Sequence, residues 1–300
     1  MTLVILLYAL FGSSFPISKM LLGYTTPIFF LGSRMTVAGL LLIGYQWLRD
    51  KSKLAIHKDH YLYFLQLIII GMYLNYLLRF WALSQMSAAK IAFLFNASPF
   101  FSALYSYILF SERISRIQWL GLICGFAGLI PIMMTTSLAE QQLGEFLFIS
   151  WPELATLASV ALHSYCWIII RTLVKEKEYT PMMVNGIGMV CGGIIALGTS
   201  WYIDGFFPVS QPLFYAKWFI AVVVISNIIC HNLYAYLLRH YTATFMSFAG
   251  FMGPLFSTLY AWGLLNERIS WHFFLSGVMI FIGLYLFYKE ELVTKPSPLG

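Results

Sequence analysis

The sequence predicts an all-α polytopic membrane protein, ten transmembrane helices arranged as a 5+5 inverted-topology repeat. Three observations carry this. The chain is 60% hydrophobic and 10% charged with a mean hydropathy of +0.79, against roughly 25% charged residues in soluble domains. Apolar runs long enough to span a hydrocarbon core of about 30 Å follow one another from end to end. And the chain writes one stretch twice. Laid on itself so that Pro99 meets Pro254, Phe101-Ser102 falls on Phe256-Ser257 and Leu104-Tyr105 on Leu259-Tyr260, while Glu112-Arg113-Ile114-Ser115 falls on Glu267-Arg268-Ile269-Ser270.

Small changes of offset extend the match: Pro27 meets Pro181, Gly32 meets Gly186, Gly39 meets Gly193, Gly44 meets Gly198 and Lys19 meets Arg171. Residues 1–136 and 150–290 therefore read as two copies of one five-helix unit, followed by a cytoplasmic tail at 291–300. An odd number of spans per copy inserts the second copy in the opposite sense.

The ten spans are placed at 2–22, 27–48, 61–83, 90–110, 118–136, 151–173, 181–203, 217–238, 243–265 and 272–289. The first lacks a basic start and a small-residue cleavage site and reads as a retained span. The second and seventh begin at Pro27 and Pro181, which meet when the copies are aligned. Ser115-x-x-Gln118 spells a capping box at the start of the fifth, and Gly121, Gly125 and Gly128 give that span a flat face for close packing or a homodimer contact. Pro16, Pro99 and Pro254 interrupt the first, fourth and ninth spans, where a proline frees a carbonyl and bends the axis; they are candidate hinges. Thr135 to Gly144 is the longer connection between the copies.

Basic residues orient the chain. With a cytoplasmic N-terminus, Arg49, Lys51, Lys53, Lys58, Arg113, Arg116, Arg171, Lys175, Lys177, Arg239, Lys289 and Lys295 lie inside, and Lys90, Lys217 and Arg268 outside. The positive-inside rule thus predicts both termini in the cytoplasm. The net charge of +6 is explained by this topology, so nucleic acid is not an expected partner; the lipid bilayer is.

Polar side chains at membrane depth require a protein partner or a wet cavity. Arg34, Arg79, Asn75, Asn96, His163, Asn185, Asn227, His231 and Asn232 are in this class. Asn75, Tyr76 and Arg79 share one helix face, and a guanidinium there can take a carboxylate; Arg34 is assigned to packing. Tyr8, Phe11, Phe15, Tyr76, Phe95, Tyr165, Trp167, Tyr234 and Phe251 fall near these groups and suit a stacking or cation–π lining. The candidate substrate-binding set is therefore Tyr8, Phe15, Asn75, Tyr76, Arg79, Phe95, Asn96, His163, Tyr165, Trp167, Asn227, His231, Tyr234 and Phe251.

Glu112, Glu153, Asp204 and Glu267 all fall at span ends, so a mid-span carboxylate proton relay is not expected. Cys124, Cys166, Cys191 and Cys230 have no metal-ligand or disulfide spacing. No hydrolase, metalloprotease or phosphate-loop motif is present, so neither catalysis, metal nor cofactor is expected. The reading is a secondary carrier for a small molecule, with a membrane-embedded enzyme as the rival.

Leu10-Phe11-Gly12-Ser13-Ser14-Phe15 followed by Lys19, with the paired Pro…Ser-Glu-Arg-Ile-Ser and Pro…Asn-Glu-Arg-Ile-Ser stretches, resembles the EamA-type drug/metabolite transporter superfamily. The resemblance implies an inner-membrane carrier whose first, third, fourth, sixth, eighth and ninth helices surround a cavity, with the fifth and tenth behind. Ser87-Ala88-Ala89-Lys90-Ile91-Ala92-Phe93-Leu94-Phe95-Asn96-Ala97-Ser98-Pro99 is similar to a branch that exchanges S-adenosylmethionine for S-adenosylhomocysteine; the same residues would also suit an amino-acid exporter.

Overall fold

The computed structural model describes residues 2–110, 115–135, 137–146, 149–237 and 249–294. The helices are α1 (Thr2–Leu22), α2 (Pro27–Arg49), α3 (Lys58–Gln85), α4 (residues 88–110), α5 (Arg116–Met133), α6 (Leu138–Leu143), α7 (Trp151–Glu176), α8 (Pro181–Asp204), α9 (residues 212–237), α10 (Met252–Leu265) and α11 (Trp271–Thr294). Among the described residues, α1, α2, α3, α5, α7, α8 and the Pro212–Cys230 part of α9 are long and apolar enough to cross a membrane, and Trp271–Phe287 is a shorter apolar helix. Glu112-Arg113-Ile114, Arg239, Lys295 and the start of the ninth predicted span lie outside the described residues.

The local signals act as expected. The Ser115 hydroxyl accepts the Gln118 N–H at 3.2 Å while the Gln118 side chain accepts the Ser115 N–H at 2.9 Å, closing the capping box. The two copies also begin α2 and α8 alike: Thr26 and Thr180 each cap the helix that Pro27 and Pro181 open. The connection between copies is more than a loop. It holds α6 and a two-stranded antiparallel ribbon, β1 (Glu145–Phe146) and β2 (Ile149–Ser150).

Packing pairs the helices reciprocally. α2 lies along α8 and α5 along α11, while α1 meets α10 and α9, and α7 meets α4 and α3. Lipid supplies no hydrophobic drive between helices, so close approach at small residues carries association. At α2–α8 a Cβ on Gly32 would meet Leu197, and one on Gly186 would meet Ile43; one on Gly39 would meet Val190, and one on Gly193 would meet Thr36. Each contact thus has its counterpart in the other copy. A Cβ on Gly121 would strike the Gly283 carbonyl and the Phe287 backbone of α11, and one on Gly283 would lie 2.5 Å from the Gly125 backbone nitrogen. This glycine face is consumed within the chain, so of the two uses expected for it close packing is the one the structure shows. Large apolar side chains such as Leu40, Ile123, Ile194 and Phe274 are exposed on the outside, as a lipid-facing surface requires.

Two helices carry wide π turns at matching places, Leu67–Leu74 in α3 and Val223–Cys230 in α9. They end where Asn75 and His231 begin. Pro99 follows a 3-10 turn at Phe95–Ala97, and Pro254 follows a turn in which the Gly253 N–H donates to the Gly250 carbonyl. Pro16 lies inside continuous α1.

Candidate functional site

Helices α1, α3, α4, α7 and α9 bring a cation and a set of rings together. The Arg79 guanidinium lies 4.4 Å from the Tyr76 ring and 4.2 Å from the Phe95 ring. Its Nη2 is 3.2 Å from His163 Nδ1, and its buried Nε has no hydrogen-bond partner. The described residues give it no carboxylate partner. Phe95 stands 5.5 Å from Phe15 and 5.7 Å from His163.

The Trp167 indole N–H donates to His163 Nε2 at 3.0 Å. Its ring stacks at 6.5 Å on His231 and lies 5.4 Å from Tyr234, while Phe11 closes the other side of both. His231 Nδ1 sits 2.7 Å from the Ser226 carbonyl, which fixes its ring as a donor to backbone. Such a lining can hold a planar or cationic group by ring faces and a carboxylate by the guanidinium.

Asn75 supports this set. Its amide N–H donates to the Gly71 carbonyl at 3.1 Å, its oxygen accepts from Ser159 at 2.7 Å, and its Nδ2 stands 3.5 Å from His163 Nδ1. Gly71 belongs to the π turns, whose shifted carbonyls give an asparagine side chain its acceptor.

Other candidates sit elsewhere. Asn227 accepts from Arg34 Nε at 2.8 Å and is completely buried; it belongs to a polar knot in which Arg34 also donates to Ser18, Ser14 and Ser226. That knot joins α1, α2 and α9, and in it Arg34 holds helices together. Tyr165 donates to Gln66 and faces Tyr105. Phe251 packs on Phe281 of α11. Tyr8, by contrast, is buried in the cluster against which Phe11 and Tyr234 of the ring set pack, and Asn96, next to Phe95, is buried with its Nδ2 unpartnered. Sequence reasoning missed Ser159 and the three serines around Arg34. The spacing of Ser14 and Ser18, one helical turn apart on α1, was the available signal.

Lys90 corrects an expectation. It is no loop cation: it is 1% exposed, 2.6 Å from Glu140 and 2.7 Å from Glu153. Each carboxylate spends its other oxygen on capping its own helix, through the N–H of Ser137 and Ser150. The network ties α4, α6 and α7 together at one end of the molecule. Beside it, Lys19 donates to the carbonyls of Ser84 and Met86, and the Glu267 carboxylate accepts the N–H groups of Ala88 and Ala89.

Known proteins share this architecture. Residues 1–134 and 150–289 each match the EamA-like transporter family. An S-adenosylmethionine/S-adenosylhomocysteine transporter from Chlamydia trachomatis is 32% identical, covering 94% of this chain and 86% of its own; that from Chlamydia muridarum is 30% identical, covering 94% and 89%. The uncharacterized inner membrane transporter YedA of Escherichia coli is 23% identical over 96% of this chain and 92% of its own. A solved crystal structure, 16% identical and covering 98% of both chains, superposes with a TM-score of 0.67, a likeness of fold alone.

Proposed function

The chain belongs to the EamA-like transporter family, and from that premise we propose that it carries S-adenosylmethionine into the cell across the bacterial inner membrane in exchange for S-adenosylhomocysteine. The observation that carries the substrate reading is Arg79, a half-buried guanidinium whose buried Nε has no hydrogen-bond partner, framed by Tyr76 and Phe95 and continuous with Trp167, His231 and Tyr234. Arg79 takes the amino-acid carboxylate, and the rings take the purine and the sulfonium. The names and coverage of the chlamydial relatives support the same substrate pair.

Alternating access is the mechanism proposed, with the two copies inverted about an axis through the α2–α8 contact. The reciprocal glycine contacts there support it, as a two-fold interface repeats every contact. Pro16, Pro99 and Pro254 serve as hinges, both termini face the cytoplasm, and the chain moves its substrate unchanged. Radiolabelled uptake into proteoliposomes tests the reading. Saturable S-adenosylmethionine flux accelerated by internal S-adenosylhomocysteine is expected. Flux of free amino acids that adenosyl compounds fail to compete would replace it with an amino-acid exporter, and a chemically altered product would replace it with an enzyme.

A further inference from the structure

Hydrogen-bond donors and acceptors at His163 do not balance. Both ring nitrogens face groups that can only donate there: Trp167 Nε1 at 3.0 Å from Nε2, and Arg79 Nη2 at 3.2 Å with Asn75 Nδ2 at 3.5 Å from Nδ1. The Asn75 side chain cannot be turned over, because its Nδ2 serves the Gly71 carbonyl and its oxygen accepts from Ser159. A neutral imidazole has one donor and one acceptor, and an imidazolium has no acceptor. Every protonation state therefore leaves two donors facing each other. The indole has one N–H, held at good length against Nε2, so the excess falls at Nδ1. Arg79 Nε, buried and unpartnered, adds a second unused donor beside it.

One group resolves this: an oxygen that accepts from both sides. An oxygen about 2.8 Å from Arg79 Nη2 and from His163 Nδ1, a normal charge-assisted length, closes a triangle on their 3.2 Å separation. The described residues place no carboxylate against Arg79, whose guanidinium has only the neutral Tyr76 hydroxyl beside it as an oxygen acceptor among them, so a charged acceptor is what the ligand would bring. We infer that His163, held as its Nδ1–H tautomer by Trp167, donates to the same substrate carboxylate that Arg79 binds. His163 is then a specificity residue for amino-acid-bearing ligands, and Trp167 is its positioning residue. This rests on the transport reading above.

The test measures binding of S-adenosylmethionine and of the same compound lacking its carboxyl group, to purified protein. Asn places an amide nitrogen where His has Nδ1; Gln reaches only to Nε2. His163→Asn should keep the preference for the carboxylate compound, whereas His163→Gln and Trp167→Phe should reduce it by roughly tenfold to a hundredfold, the range for a hydrogen bond to a charged group. A purely structural His163 would weaken both compounds alike and leave the ratio unchanged. Equal preference in wild type, His163→Asn and His163→Gln would overturn the inference while leaving the transport reading intact. Failure of wild type to bind either compound would overturn the S-adenosylmethionine reading on which the inference rests. Should His163→Gln fail to fold, the Trp167→Phe ratio decides.

Discussion

The Glu267 carboxylate accepts the backbone N–H of Ala88 at 2.9 Å, joining the end of α10 to the first turn of α4. Ala89 shares the same carboxylate, and Lys19 of α1 closes on Ser84 and Met86 beside it. Glu267 belongs to the stretch that the chain writes twice, and this contact gives its copy of the motif a physical role. One acidic side chain satisfies orphan N–H groups of a helix start and pins two helices together.

Glu267→Gln should therefore loosen that end. A half-exposed carboxylate on a helix start contributes about 1 kcal/mol, so a modest fall in thermal stability is expected. Labelling of Ser84→Cys by a membrane-impermeant thiol reagent should rise in the same background. Unchanged labelling would show that Glu267 caps a helix without holding this end closed.

Arg79→Ala should abolish substrate binding while the protein stays folded and monodisperse, because among the described residues no carboxylate depends on Arg79 as an ion-pair partner. Arg79→Lys should recover little, since the ammonium lacks the planar fork. Size-exclusion profile and ligand-induced thermal shift are the two readouts; lost folding would place Arg79 in the scaffold.

The α2–α8 contact gives a paired prediction. A Cβ on Gly39 would lie 2.6 Å from the Val190 backbone nitrogen, whereas Gly44 and Gly198 have nothing within 4 Å. Gly39→Ala should cost roughly 1–3 kcal/mol through overpacking. Gly44→Ala and Gly198→Ala should be neutral or stabilising by up to about 1 kcal/mol, from helix propensity. The paired glycines look alike in sequence, so thermal unfolding of these variants separates repetition from contact.

These contrasts mark what the sequence could reveal. Spans, repeats and the Ser115 capping box depend on local pattern, and each is legible there. The π turns leave no compositional trace, because they change which carbonyl an N–H reaches and not which residues are buried. Lys90 reads as a loop cation because its partners, Glu140 and Glu153, stand across the connection between copies. The glycine face of α5 is readable as a contact, but only the fold shows that Gly283 occupies it. At the site, Asn75, Arg79, His163 and Trp167 each stand out as polar or aromatic groups at depth; their shared imidazole is invisible in sequence, since α3 and α7 meet only in the fold.

Lys90→Met should be severely destabilising. It leaves Glu140 and Glu153 buried at 2% and 1% exposure without their cation, and breaking a buried pair by removing one partner costs about 3–5 kcal/mol. Lys90→Met with Glu140→Gln and Glu153→Gln removes the uncompensated charge and should regain much of the loss, because the glutamines still accept the Ser137 and Ser150 N–H groups. Expression and thermal unfolding read both, and failure of the triple variant to recover would mean that the ions themselves are needed there.

What would drive the proposed exchange follows from where the carboxylates stand. Among the described residues, those paired with a buried cation are Glu140 and Glu153, both committed to Lys90 and to capping their own helices. Neither stands in the ring set around Arg79. Because the described residues place no carboxylate against Arg79, the negative charge comes in with the substrate, and the loaded state is the one that closes over Arg79 at least electrostatic cost. Return of a loaded cavity is then faster than return of an empty one. Uptake of S-adenosylmethionine should rise several-fold when S-adenosylhomocysteine is preloaded, and a protonophore should leave it unchanged at clamped membrane potential. Collapse under the protonophore would instead make His163 or His231 a proton carrier, and uptake indifferent to preloading would make the protein a uniporter.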